Sequence, residues 1–438
     1  MSQKADPPPK QNSRLPEAPP KTRLRDLLGP GLIAGASDDD PSGIATYSQA
    51  GAQFGYGLGW TMVFTYPLMS AVQMVSARIG RTTGHGIAGN LRRYYPAWLT
   101  ISVVFLLLVA NTINIGADLG AMADATALVT GLPAWPFLIA FTLFCAASEV
   151  EMRYASYVRV LKWLTLALLA YVATLFLVHV SWAKALRGLI MPQVRLDAAA
   201  LTMIVAIFGT TISPYLFFWQ ASEEAEDVHN HHDRHPLRHA PAEGQSELKR
   251  IEFDTLGGMA ASNLVALAII LTAAATLNAN GLTNIETSAQ AAEALKPVAG
   301  ASASTVFAVG IIGTGLLAVP VLAGSAAYAV GEALHWPVGL DRRPRRAKAF
   351  YGTIVAAAVI GALMNFVHLN PIKALFWTAV INGVVAVPVM AVMMLMTTRQ
   401  EIMGRFTISP ALQALGWGAT AAMAAAVLAM GWGIVSGG

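Results

Sequence analysis

Residues 36–55 read "ASDDDPSGIATYSQAGAQFG", and the reading of this stretch decides the fold. It places Asp38, Asp39 and Asp40, followed by Pro41, Ser42 and Gly43, inside an apolar run. Leu27 to Ala34 precede it, and Ile44 to Gly59 carry no charge. A carboxylate at a bilayer centre costs about 2.5–3.5 kcal/mol on insertion scales. Three in a row facing lipid are untenable, so they must face a cavity, a partner or the interface.

The rest of the chain supports a membrane setting. Of 438 residues, 55% are hydrophobic and 12% charged, against roughly 25% charged in soluble domains. At about 20 apolar residues per span, eleven spans are expected. They lie near 27–50, 57–79, 99–119, 134–150, 161–181, 199–221, 256–277, 305–329, 350–369, 374–396 and 411–435. The first is not read as a signal peptide, because a polar, proline-rich leader precedes it and no small-residue cleavage site follows. That leader, residues 1–25, is expected to be disordered.

Lys and Arg counts predict the topology. With the N-terminus cytoplasmic, 24 of the 29 fall on cytoplasmic segments. The other five are Lys184, Arg187, Arg195, Lys296 and Lys373. This asymmetry follows the positive-inside rule, so the net charge of +4 reflects membrane orientation and not nucleic-acid binding. The single cysteine, Cys145, excludes an intrachain disulfide and any multi-thiolate metal site. The expected class is an all-α polytopic membrane protein with the lipid bilayer as partner and no cofactor or catalytic residues.

Two spans are interrupted midway by proline in a polar context: "DDDPSG" in the first and "GTTISPY" (209–215) in the sixth. Paired broken helices in two halves point to a transporter site at a repeat interface, although prolines and glycines are also common in membrane helices. Pro41 removes a backbone donor and frees carbonyls beside the carboxylates. Such a set is a hard, oxygen-rich cation site. Asp40, next to the proline, is read as the ligand; Asp38 and Asp39 line the access path or simply cap and hydrate the break. In the sixth span Thr210, Thr211 and Ser213 offer hydroxyls, and Pro214 frees further carbonyls; the alternative is that these hydroxyls bond within their own helix. Asp118, near the end of the third span, is a candidate by virtue of its charge, with Asn111 and Asn114 on the same helical face. Five of nine histidines, including His229, His231, His232 and His235, fall between 229 and 239. This tract either binds transition metals or is a solvated loop. "DRRPRRAK" (341–348) is a topology determinant.

Together, "GPGLIAGASDDDP", "QMVSARIGRTTGHGIA", "GADLGAM" and "GTTISPY" resemble the NRAMP family of divalent metal transporters, from about Leu24 to the end. The resemblance implies a LeuT-type fold of two inverted five-helix repeats (26–182 and 183–396, the second holding a His-rich cytoplasmic loop at 222–254). An additional C-terminal helix occupies 397–438. It also implies alternating access around a metal between unwound helices one and six.

The chain departs from the family pattern at the site. Typical members read Asp-Pro-Gly-Asn in the first helix, where this chain has Asp40-Pro41-Ser42-Gly43. They read Met-Pro-His in the sixth, where it has Ser213-Pro214-Tyr215. Thr210 replaces an alanine whose carbonyl helps coordination, and Ala121 replaces a glutamate one turn after Asp118. Loss of the thioether leaves oxygen donors, which suit hard ions. Few side-chain ligands suit a cation that keeps its waters, as magnesium does. This pattern resembles the NRAMP-related magnesium transporters, a branch uncoupled from protons. The expectation is a bacterial inner-membrane carrier of hydrated magnesium, or manganese, with Asp40, Thr210 and Ser213 as ligands and Asn382 as a further candidate. Three alternatives stay open: a proton-coupled manganese or iron importer, a metal sensor using the histidine loop, and an intramembrane aspartyl protease built on Asp40 and Asp118.

Overall fold

The computed structural model describes residues 30–151, 164–192, 197–230, 234–367 and 370–436. The expected disordered leader lies outside them, as do His231 and His232. The chain is helical. The first span is split into α1 (Pro30–Asp38) and α2 (Pro41–Phe54). Then come α3 (Trp60–Thr83), a short α4 (Ile87–Tyr94), α5 (Ala97–Thr130), α6 (Ala134–Glu151), α7 (Leu169–Leu177) and α8 (Trp182–Ile190). The sixth span is split into α9 (Ala198–Thr211) and α10 (Pro214–Asn230), followed by α11 (Gly244–Thr276). The last four are α12 (Ala303–Leu334), α13 (Lys348–Met364), α14 (Pro371–Thr397) and α15 (Pro410–Val435). Each of the eleven expected spans overlaps helix among the described residues; parts of the first, fifth and ninth lie outside them. Eight helical stretches among the described residues are long and apolar enough to cross a membrane.

The bundle exposes apolar side chains and keeps the break-region carboxylates within, as lipid solvation demands. Phe105 is 61% exposed and Leu428 73%, whereas Asp40 and Asp118 are 1% and 0% exposed. Lipid supplies no hydrophobic drive between helices, so close backbone approach must hold them. A Cβ at Gly35 of α1 would stand 2.4 Å from the Gly258 carbonyl of α11. At Gly209 of α9 it would stand 2.0 Å from the Ala379 carbonyl of α14. Only glycine permits these two crossings.

The two ends of the bundle differ. At one end Arg92 bonds the Ala333 carbonyl, Arg238 bonds Tyr94, Arg405 bonds the Pro241 carbonyl and Arg399 lies 4.6 Å over the Tyr95 ring. At the other, mostly neutral and acidic groups meet: Asn278 with the Ala52 carbonyl, Ser288 with Asp124 and Asn370 with the Glu286 carbonyl, with Lys373 3.7 Å from Glu286. Several of the described basic connections therefore share one end.

The long polar loop expected over 222–254 is shorter. α10 runs on to Asn230 and α11 begins at Gly244, because Ala221, Ala225 and Val228 continue a buried stripe at helical spacing. The buried charge this extension brings, Glu224, is paired with Arg250 at 2.6 Å. The connection is anchored as well. Arg81, fully buried, binds Glu243 at 2.9 Å, Glu247 at 3.1 Å and the His235 carbonyl at 2.6 Å. The described part of the connection is thus held to α3 through its backbone, while the His229, His235 and His239 side chains are exposed.

Candidate cation site

The site forms where the two broken spans pass each other. Asp40 is the N-cap of α2: its Oδ1 accepts from the Gly43 N–H at 2.7 Å and from Ser42 Oγ at 2.6 Å. Its Oδ2 accepts from Asn114 Nδ2 of α5 at 3.2 Å. Three donors therefore hold one carboxylate in place. The capping considered for Asp38 and Asp39 falls instead to Asp40, because an N-cap must directly precede the first helical residue, here Pro41. Asp38 and Asp39 both turn toward Ser262 of α11, whose hydroxyl lies 2.5 Å from Asp38 Oδ2 and 3.3 Å from Asp39 Oδ1.

In an unbroken helix the N–H of residues 41 and 214 would pair with the carbonyls of Ser37 and Thr210. Proline has no N–H, and both carbonyls find substitutes on the sixth span. Tyr215 donates its hydroxyl to the Ser37 carbonyl at 2.9 Å. Ser213 Oγ lies 2.9 Å from the Thr210 carbonyl and 2.7 Å from that of Gly209. These carbonyls, read from sequence as freed for an ion, each have a hydroxyl as partner, Ser213 sharing its single proton between those of Thr210 and Gly209, and keep a lone pair for ligation. Thr211 bonds back to the Ile207 carbonyl at 2.9 Å, so for Thr211 and Ser213 the hydroxyl proton is used within the helix.

Gly43 is packed closely against the second break. A Cβ there would lie 3.1 Å from Thr210 Oγ1 and 3.2 Å from Tyr47 Cε2. The position where the family pattern has an amide side chain thus has little room for one.

Asp118 is buried completely, and neither carboxylate oxygen has a hydrogen-bond partner. It lies inside the protein. Asn111 does not join it but binds the Leu322 carbonyl at 2.9 Å and Ser325 at 2.7 Å. Asn382 of α14 is buried with Nδ2 unpartnered, adjacent to Gly383, where α14 crosses α9. His229 lies at the far end of α10 from this site and His235 on the connection after it. Sequence reading missed Ser262 and Glu149. Glu149, on α6, is 8% exposed with both oxygens unpartnered; its place at the end of a span gave it no signal. Among the described residues, no three His, Cys, Asp or Glu side chains converge as a metal cage.

The sequence from 31 to 433 matches the family described as "Nramp: Natural resistance-associated macrophage protein-like". The chain belongs to the Nramp family. Curated relatives include the divalent metal cation transporter MntH of Yersinia enterocolitica, 25% identical over 92% of this chain and 95% of that one. MntH of Klebsiella pneumoniae is 25% identical over 93% and 94%. The fold is shared with solved structures. The Eremococcus coleocola manganese transporter superposes with a TM-score of 0.70 at 18% identity, covering 93% of this chain and 86% of that one. Mhp1, a nucleobase-cation-symport-1 family transporter, gives 0.57 at 15% identity with 93% of each covered. The Nramp chain thus has the LeuT-type architecture expected from its sequence, including an eleventh helix, α15.

Proposed function

We propose that this Nramp-family protein is a transporter, not an enzyme, that moves a divalent metal cation by alternating access, and that its ion is hydrated magnesium. Divalent metal cation transport follows from family membership and the character of the MntH relatives. The choice of magnesium rests on one observation: the breaks present oxygen only. Asp40 and the hydroxyls of Thr210 and Ser213 lie on the two breaks, and Gly43 is packed against Thr210 where an amide would otherwise enter. Neither break carries a sulfur or imidazole side chain to favour softer metals; Met122 Sδ of α5 packs beside Gly315 of α12, next to Pro41. A single well-held carboxylate with carbonyl and hydroxyl neighbours suits a cation that keeps several waters. Tyr215 and Ala121 stand where the family pattern has proton-carrying groups, which supports uniport down the ion gradient. Asp38, Asp39 and Asp118 would line the path. The two repeats (26–182 and 183–396) are part of this reading, as are a cytoplasmic N-terminus and a bacterial inner membrane.

The test is a competition series of magnesium, calcium and manganese in proteoliposomes, read with an internal pH probe. Magnesium uptake without acidification is expected. Manganese uptake with stoichiometric acidification and no magnesium flux would overturn the proposal. It would favour proton-coupled import, a reading to which the unpartnered, buried Asp118 carboxylate lends support.

A further inference from the structure

A second feature lies at the basic end of the bundle, away from the helix breaks. There the turn after α3, the end of α10 and the end of α12 enclose a cavity of about 320 Å³ that includes His85, Ser222, Glu226, His229 and Glu332. We infer that His85 and His229 form a two-imidazole site for a borderline divalent ion such as zinc or nickel, bridging the turn after α3 to α10. The inference stands independently of which ion the protein transports.

Geometry carries the assignment. The two rings lie 6.2 Å apart between centroids, tilted by 48°. Metal–nitrogen bonds of roughly 2.0–2.1 Å place two rings bridged by one ion at about 5–6 Å, so little movement is required. His229 Nδ1 lies 2.7 Å from the Ala225 carbonyl. A carbonyl only accepts, so Nδ1 carries the proton and Nε2 keeps its lone pair. This backbone bond is the usual device that orients a ligating histidine. His229 is reachable from solvent and His85 is half-buried, which gives an ion a way in.

The surrounding groups leave the site to these two rings. Glu332 spends its oxygens on the N–H groups of Gly86 and Gly89 at 2.7 and 2.8 Å, capping α4. Its charge still offsets the guanidiniums of Arg92 and Arg93 in the same cavity. Ser222 Oγ is buried without a partner and within the same narrow space, for a Cβ at Gly86 would touch both it and Glu332. It can hydrogen-bond a metal-bound water. No third His, Cys, Asp or Glu among the described residues completes a cage. Two imidazoles with water select zinc or nickel over magnesium, because nitrogen donors suit the former.

The experiment is a zinc titration of the full-length protein in nanodiscs by calorimetry, with any purification tag removed and magnesium at saturation. A variant with glutamine at positions 231, 232, 235, 239 and 335 is expected to keep one zinc equivalent and its thermal stabilisation by zinc. His85→Gln and His229→Gln in that background should each weaken binding at least about tenfold, with the zinc-free melting temperature unchanged. If either variant unfolds, the corresponding asparagine replaces the glutamine. Undiminished binding in the single variants, or loss of binding in the five-site variant, would overturn the assignment.

Discussion

The hydroxyl of Tyr215 on α10 donates to the carbonyl of Ser37 on α1, at 2.9 Å. This single bond ties the sixth span to the first across the place where both are broken. It occupies the carbonyl that Pro41 deprives of its helical partner, so the strap and the break are one construction. Tyr215→Phe keeps the ring but leaves that carbonyl without a donor. Removing a donor from a buried acceptor costs about 1–3 kcal/mol. The variant should therefore melt several degrees lower in detergent, and its uptake kinetics should change with it; an unchanged melting curve would show that the strap is idle.

Asp40→Asn tests the charge apart from the cap. An amide oxygen still accepts from Gly43 and Ser42, so the N-cap survives, since Asn and Asp cap equally well. Uptake should fall to the level of protein-free liposomes while the melting temperature stays within a few degrees. Residual flux comparable to wild type would remove Asp40 from the site.

Gly43→Asn restores the family residue where the first break packs against the second. Its Cβ would meet Thr210 Oγ1 at 3.1 Å and Tyr47 at 3.2 Å, and overpacking of this kind costs about 1–3 kcal/mol. The single variant is expected to be destabilised and slow. Adding Thr210→Ala should recover stability, a non-additivity that a double-mutant cycle in thermal unfolding measures directly.

Gly35→Ala probes the α1–α11 crossing. A methyl group 2.4 Å from the Gly258 carbonyl cannot be absorbed by a side-chain rotation, because the obstacle is backbone. The helices must separate, and loss of the folded fraction on size-exclusion chromatography is the expected outcome. Gly257→Ala, one residue from Gly258 but with open space around its Cβ position, should behave as wild type.

Much of this was legible in the chain itself. The helical membrane-spanning character, the two breaks and the gathering of several basic groups at one end follow from hydropathy, proline and charge. These are local properties that the membrane imposes on each segment separately. Asp40, beside its proline, was legible for the same reason. The roles of its neighbours were not. Asp38 and Asp39 share the same short quotation yet turn to Ser262, more than two hundred residues away. The polar segment 222–254 looked like a loop because its charges outnumber its apolar residues. Arg81 and Arg250 pair with those charges, and helix continues through much of it.

The sequence by itself determined that this chain is a broken-helix membrane bundle of the Nramp type, with Ser42-Gly43 and Ser213-Pro214-Tyr215 where the family pattern has other ligands. Only the tertiary structure decided what those replacements do. Gly43 makes room for Thr210, Tyr215 closes on Ser37, and Ser213 turns back on its own helix. Each outcome depends on where a partner from a distant helix stands, and no local pattern of residues encodes that distance.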